Sequence, residues 1–190
     1  MSKKNKKGEN LFNLTLNPKK SWNKQIQEKK GLPKIIEIPQ EKYAEWGQGK
    51  MVIPSPLDIW EVMNAIQEGK LITGQEIKNH LIKKYKVSIV YPQMTGLFIR
   101  LVALATIEKH GNSNKHLTPF WRTLKSSGYL NPQFPGGLEE HAYRLESEGF
   151  YIIPGKGSKL PKVKDYQKYI QKIDYLLDQG KCKDMQKNIF

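Results

Sequence analysis

TPFWRTLKSSGYLNPQFPGGLEEHAYRLESEG, residues Thr118–Gly149, is the stretch whose reading decides the fold. It divides into a short β-prone run, a turn-rich loop ending in Gly136-Gly137, and an amphipathic run closed by Gly149. Leu138, Ala142 and Leu145 fall at helical spacing in that last run, so a helix is predicted there with its exit at Phe150. Gly136 and Gly137 fit a loop entering a helix, because glycine accepts positive φ.

Working outward, Ser55-Pro56-Leu57-Asp58 has a helix-start pattern, with Ser as N-cap, Pro at the first position and an acid in the first turn. Leu57, Trp60, Met63, Ala65 and Ile66 are its expected apolar stripe, with Gly69 as the stop. Thr73-Gly74-Gln75-Glu76 is a capping box opening a second helix to about Lys86, burying Ile77, Leu81 and Tyr85. Thr95 is the expected cap of a third helix running to about His110, with Leu97, Leu101, Leu104 and Ala105 inward. Two helices joined by a short link form a helix-turn-helix pattern. Lys115–Lys125 and Tyr129–Phe134 are the expected β-hairpin wing, and Ile152-Ile153 a short strand. The predicted fold class is mainly α with a small β wing, a winged helix-turn-helix with basic N- and C-terminal extensions.

The flanks differ from this body. Residues 1–34 hold ten lysines against Glu9 and Glu28, and residues 155–190 hold nine lysines against four aspartates. Residues 35–154 are nearly neutral, so most of the net charge of +14 sits at the two ends. The expected organisation is a basic, largely disordered arm over 1–34, with a short helix near Ser21–Lys30, and an extended arm packed on the body over 35–54. The winged-helix domain follows over 55–154, then a linker, an amphipathic helix and a tail over 155–190. The linker is 155–162, GKGSKLPK, and the helix Val163–Asp178 carries Tyr166, Tyr169, Ile170, Ile173 and Leu177. Lysine-rich extensions suit phosphate contacts, which are independent of base sequence and sensitive to salt. They equally suit a solubilising surface.

No apolar run approaches the roughly 18–20 residues that a membrane span needs, so no membrane partner is expected. The single Cys182 has no disulfide partner, and a bacterial-type cytoplasmic protein, nucleoid-associated if DNA-bound, fits best. His80, His110, His116 and His141 have no metal-ligand spacing. There is no phosphate loop, GxSxG elbow or HExxH motif, and no cofactor is implied.

Over about Pro54–Gly149 the order of motifs resembles the DNA-binding domain of the alkylguanine-DNA alkyltransferases. That family has a Pro-Cys-His-Arg strand, a Ser-x-Gly turn, a Gly-Gly-Leu helix start and a Glu-Gly helix end. More narrowly, the chain resembles a bacterial group of domain-like proteins. The residues that carry this are WGQGKM (Trp46–Met51), PQMTGLF (Pro92–Phe98), TPFWRTLK (Thr118–Lys125) and LNPQFPGG (Leu130–Gly137).

The family's acceptor cysteine position holds Phe120 and its histidine position holds Trp121. Of the relay that activates a thiolate, only Glu148 is kept. The resemblance therefore implies a homologue without alkyl transfer. The family's base-rotating tyrosine aligns with Gly74, and its intercalating arginine with Gly96, while Arg100 stands one turn further on. These losses resemble only in part the alkyltransferase-like proteins, which keep the flipping residues.

The expected partner is double-stranded DNA, gripped through its phosphates. Gln75, Lys78, Lys83, Lys84 and Arg100 are the candidate backbone contacts, with the Thr95 hydroxyl and its helix N-terminus on a phosphate. Gly96 permits either close approach to DNA or tight helix packing. Arg122 is a lesser DNA candidate, its family role being chiefly scaffold hydrogen bonding. Pro119, Phe120, Trp121, Tyr129, Phe134, Gly136 and Gly137 line the expected pocket. Phe120 and Trp121 either stack a base or ligand there or fill the pocket as core, and core filling is the favoured reading.

The function expected is a non-catalytic DNA-binding protein, in alkylation-damage recognition or DNA repair. The alternative is a protein-interaction module on a winged-helix scaffold that no longer binds DNA, docking a partner through the C-terminal helix. An enzyme of other chemistry is the weakest reading, since nucleophile and base are both missing.

Overall fold

The computed structural model describes residues 15–28, 31–110 and 117–173. Ser21 caps α1 (Trp22–Gln27), its hydroxyl accepting the Lys24 N–H. Six residues are too few to hold a helix unaided. Here the Glu108 carboxylate accepts from the Trp22 and Asn23 N–H groups at 3.0 and 2.8 Å, and Ile26 is buried. A carboxylate at a helix N-terminus satisfies donors that lack partners in the helix. Residues 15–28 are thus packed on the body, and the expected disordered arm is corrected there. Residues 1–14 lie outside the described residues.

β1 (Lys34–Glu37) runs antiparallel to β2 (Lys50–Ile53), with the short α2 (Tyr43–Trp46) between them. Met51, Val52 and Ile53 are fully buried, so this segment is a central strand of the body and not an arm laid on it. Consecutive side chains of a strand point to opposite faces, and both faces of β2 are covered.

Ser55 caps α3 (Pro56–Asn64) in a reciprocal box with Asp58. Its buried residues are Pro56, Asp58, Ile59, Val62 and Met63, whereas Leu57 and Trp60 are half-buried. Met63 and Ile66 of the expected stripe are core, and the half-buried Trp60 donates its indole N–H to the Thr118 hydroxyl at 2.9 Å. The helix stops at Asn64, before Gly69.

β3 (Ile72–Thr73) leads into α4 (Gly74–Tyr85), capped by Thr73 and Glu76 as the sequence predicts. β4 (Ile89–Val90) pairs parallel with β2, completing a three-stranded sheet of order β1-β2-β4. α5 (Met94–His110) follows and is buried on several sides. Phe98, Ile99, Leu101, Val102, Ala103 and Ala105 are all core residues, as befits a helix packed by α1, α3 and α4.

Lys115 and His116 lie outside the described residues, and among the described ones the expected wing hairpin does not form. β5 (Thr123–Leu124) pairs parallel with β3; Tyr129 accepts only the Lys125 N–H at 2.8 Å across the turn and bridges to Lys162. The turn between them, with Ser127 and Gly128 at φ 61° and 79°, directs the chain away. α6 (Gly137–Ser147) and β6 (Ile152–Ile153) form where expected.

Beyond them the linker and helix readings are both corrected. β6 pairs antiparallel with β7 (Lys162–Val163), and a 3-10 turn occupies Tyr166–Tyr169. The helical spacing of Tyr166, Ile170 and Ile173 yields to backbone bonding with the body. Leu71 N–H donates to Tyr169 O and Gln171 N–H to Leu71 O, both at 2.9 Å. Leu177 lies outside the described residues.

Leu81 is fully buried in the larger core cluster. Leu81→Ala is expected to lower stability by about 2–5 kcal/mol, and Leu57→Ala at its half-buried site by less, as read by urea denaturation.

Candidate nucleic-acid interface and the filled acceptor position

Pro119 turns the chain inward. At φ −76° and ψ 64°, with Phe120 N–H donating to Thr118 O at 2.7 Å, it makes an inverse γ-turn for which proline's fixed φ is suited. The β-prone reading of this run is replaced by a 3-10 turn over Phe120–Arg122 ahead of β5. Phe120 is consequently 1% exposed. Its ring meets Trp121 and Phe134 edge to face, with centroids 5.4 and 5.3 Å apart. The residue at the acceptor position is therefore core.

Trp121 is half-buried, with the Arg144 guanidinium 5.0 Å from its ring centroid. Its indole N–H donates to Glu148 Oε1 at 2.7 Å. The same carboxylate takes Arg122 Nε at 3.0 and 2.9 Å and pairs with Arg122 Nη2 at 2.8 Å. Arg122 Nη1 reaches Ile66 O at 2.7 Å. With its side chain only 12% exposed, Arg122 is committed to this knot, and its reading as a DNA contact is corrected. Glu148 is structural.

Gly136 and Gly137 take φ 77° and 68°, the left-handed region that favours glycine. Phe134 is buried, its ring 5.0 Å from that of His141. Tyr129 is half-buried and bridges Lys162, so of the expected pocket residues it stands on the side of the C-terminal strands.

His141, weighed in the sequence only as a metal ligand, is a buried link. Nδ1 accepts the Asn131 N–H at 3.1 Å, which leaves Nε2 to donate to Trp121 O at 2.7 Å. Burial pushes the ring down to about 4, against the pull of its two hydrogen bonds. The signal was available: His141 lies three residues after Leu138 and four before Leu145, on the apolar stripe of α6.

Four of the eight expected DNA contacts keep an open position on the first turns of the helix pair. Gln75 is exposed and bonds Asn79 at 2.9 Å, Lys78 is half-buried, and Gly96 and Arg100 are exposed. α4 meets α5 there, since a Cβ on Gly74 would lie 3.8 Å from Ile99 Cδ1. A Cβ on Gly96 would meet nothing within 4 Å, which rules out the helix-packing reading of that glycine. Lys83 is exposed but stands eight residues beyond Gln75, about 12 Å along α4.

Two expected contacts on these helices are corrected. Thr95 is 1% exposed and lies inside α5, which begins at Met94, so it neither caps the helix nor meets a phosphate. Lys84 donates to Asp58 Oδ1 at 2.7 Å and Glu61 Oε2 at 3.2 Å, tying α4 to α3. Burial acts to raise the Asp58 carboxyl. The bonds from Lys84 and Tyr85 outweigh it and hold the group below its ordinary value.

No family model matches the chain, and no curated protein matches it. Among solved structures it is similar to S. pombe Atl1 in complex with damaged DNA containing O6-carboxymethylguanine, at 20% identity and a TM-score of 0.42. It is likewise similar to S. pombe ATL in complex with DNA, at 20% identity and a TM-score of 0.43. Each match covers 62% of this chain and 94% of the other.

Two predictions concern the knot and its histidine. Arg122→Ala leaves the Glu148 charge buried with only the Trp121 donor, and is expected to destabilise by about 3–5 kcal/mol. The double change Arg122→Met with Glu148→Gln is expected to lose less than the sum of the two single changes in a thermodynamic cycle. For His141, the unfolded ring takes its proton near pH 6.5 and the folded ring only near 4. Stability present above pH 6.5 is therefore lost as pH falls from 6.5 to 4, by about 2 kcal/mol between pH 7 and pH 5. Urea midpoints at those two values are expected to show this fall in the wild type and a smaller one in His141→Asn.

Proposed function

We propose that the chain is a non-catalytic DNA-binding protein of the alkyltransferase-like kind, built on a helix-turn-helix scaffold and acting in the recognition of damaged DNA. The observation that carries this reading is the pairing of a filled acceptor site with an open helix face. Phe120 stands at the acceptor position as a buried ring with no nucleophilic atom, and Trp121 ties up the relay carboxylate Glu148 as a hydrogen-bond donor. Alkyl transfer to carbon has no route there. Meanwhile Gln75, Lys78, Gly96 and Arg100 line the first turns of α4 and α5, where amide, lysine and arginine groups suit phosphate oxygens.

Gly74 and Gly96 supply neither a base-rotating ring nor a plug for the base stack. Recognition of a lesion then falls to groups such as the half-buried Trp121, and most of the affinity to the phosphates. The protein-partner alternative still has the two missing flipping residues in its favour, but loses the helix it was to dock through, since among the described residues of that segment only β7 and a 3-10 turn form.

Fluorescence anisotropy on paired duplexes, one plain and one with a single alkylated guanine, tests this across a salt series. Steeply salt-dependent binding is expected, with tighter binding to the alkylated duplex and the alkyl group still on the base afterwards. Lys78→Ala and Arg100→Ala are each expected to make the slope of log K against log salt shallower by about 1. Equal binding to both duplexes removes the damage role and keeps a general DNA binder. No binding at low salt overturns the DNA reading in favour of the protein-interaction module.

A further inference from the structure

Eight residues, Pro154–Pro161, separate β6 from β7, and most of them fall in the stretch 155–162 that reads in sequence as a linker. In the fold they close a ribbon with Ile152 opposite Val163 and Ile153 opposite Lys162. Its tip is tightly built. A Cβ on Gly155 would lie 2.3 Å from Lys159 O, so the two sides of the turn touch backbone to backbone, and Lys159 N–H donates to Lys156 O at 3.2 Å. Its base is fixed as well. Val163 is core, Leu130 N–H donates to Pro161 O at 2.9 Å, and the Tyr166 ring lies against Gly128.

The charge on this ribbon is of one sign. Phe150–Lys164 holds Lys156, Lys159, Lys162 and Lys164 and no acidic residue. Lys156, Lys159 and Lys164 are exposed, and no carboxylate pairs with them among the described residues. Lys84 and Arg122, by contrast, are neutralised within the fold. Lys162 is half-buried at the Tyr129 bridge. The register sets Tyr151 beside Lys164, whose Nζ lies 5.5 Å from the ring centroid, and Tyr151 is 66% exposed. Tyrosine hydroxyls and lysines are both donors to phosphate oxygens.

We propose that this ribbon is a second duplex contact, separate from the α4–α5 face, in which Lys156, Lys159, Lys164 and Tyr151 grip the sugar-phosphate backbone. It does the work of the wing that the sequence placed at Lys115–Phe134. The inference rests on the DNA-binding reading above. A two-stranded ribbon is one of the elements that a duplex groove admits, and unpaired lysines on it release counterions when they meet phosphates. A lipid surface fits less well, since the exposed tip, Pro154–Lys159, carries no large apolar side chain to insert.

The test is a salt series on a plain duplex with the full chain and the triple variant K156A/K159A/K164A. The slope of log K against log salt is expected to become shallower by about 2–3 in the triple variant and to return in K156R/K159R/K164R, with the melting temperature unchanged in both. A wild-type slope in the alanine variant overturns the ribbon contact. If Lys78→Ala and Arg100→Ala still weaken binding in that case, the DNA reading survives without it. No duplex binding by the wild type at low salt overturns both. Loss of binding to phosphatidylserine vesicles, with duplex binding intact, assigns the lysines to lipid headgroups and overturns the proposal.

Discussion

One carboxylate fixes the middle of this protein. Glu148, at the C-terminal end of α6, accepts from both the Trp121 indole and the Arg122 guanidinium with its side chain only 10% exposed. A buried carboxylate is tolerated only when donors surround it, and a buried guanidinium only when its remaining N–H groups find acceptors. Arg122 completes the set at Ile66 O, in the turn after α3. Three parts of the chain far apart in sequence thus meet at one charge pair. The inward turn at Pro119, the seating of Phe120 against Phe134 and the start of β5 all follow from where that pair holds the backbone.

This arrangement sets the character of Phe120 and Trp121. Phe120 contributes apolar area to the core, and the Trp121 indole offers a hydrogen-bond donor and no acceptor. Glu148 is a fixed acceptor for Trp121 and Arg122. What stays outward is a polar face on two helices and a basic ribbon after α6.

Much of the local structure was legible because its causes are local. Thr73 and Thr95 are both followed by glycine, yet only Thr73 caps a helix. Glu76 stands three residues after Thr73 and returns a bond to its N–H, whereas Phe98 stands three after Thr95 and has nothing to return. The second Thr-Gly therefore slid into the first turn of α5 and was buried. Charge misled for the opposite reason. Lys84 and Arg122 look outward in sequence, and nothing within a helical turn of either says that Asp58 or Glu148 waits 26 residues away. The C-terminal strands were hidden behind a helical spacing that is real but weaker than the backbone bonds Leu71 offers.

Those bonds at Leu71 bear on the order in which the chain assembles. Leu71 N–H and C=O both pair with residues near Ile170, and the Gln171 side chain adds bonds to Gln67 N–H at 2.9 Å and Ala65 O at 3.0 Å. Buried polar backbone of this kind is seldom left unpaired. The connection between α3 and α4 is thus closed by a segment made about a hundred residues later. That turn stays incomplete until residues near Ile170 are in place, so its closure depends on contacts distant in sequence and is a late step of assembly.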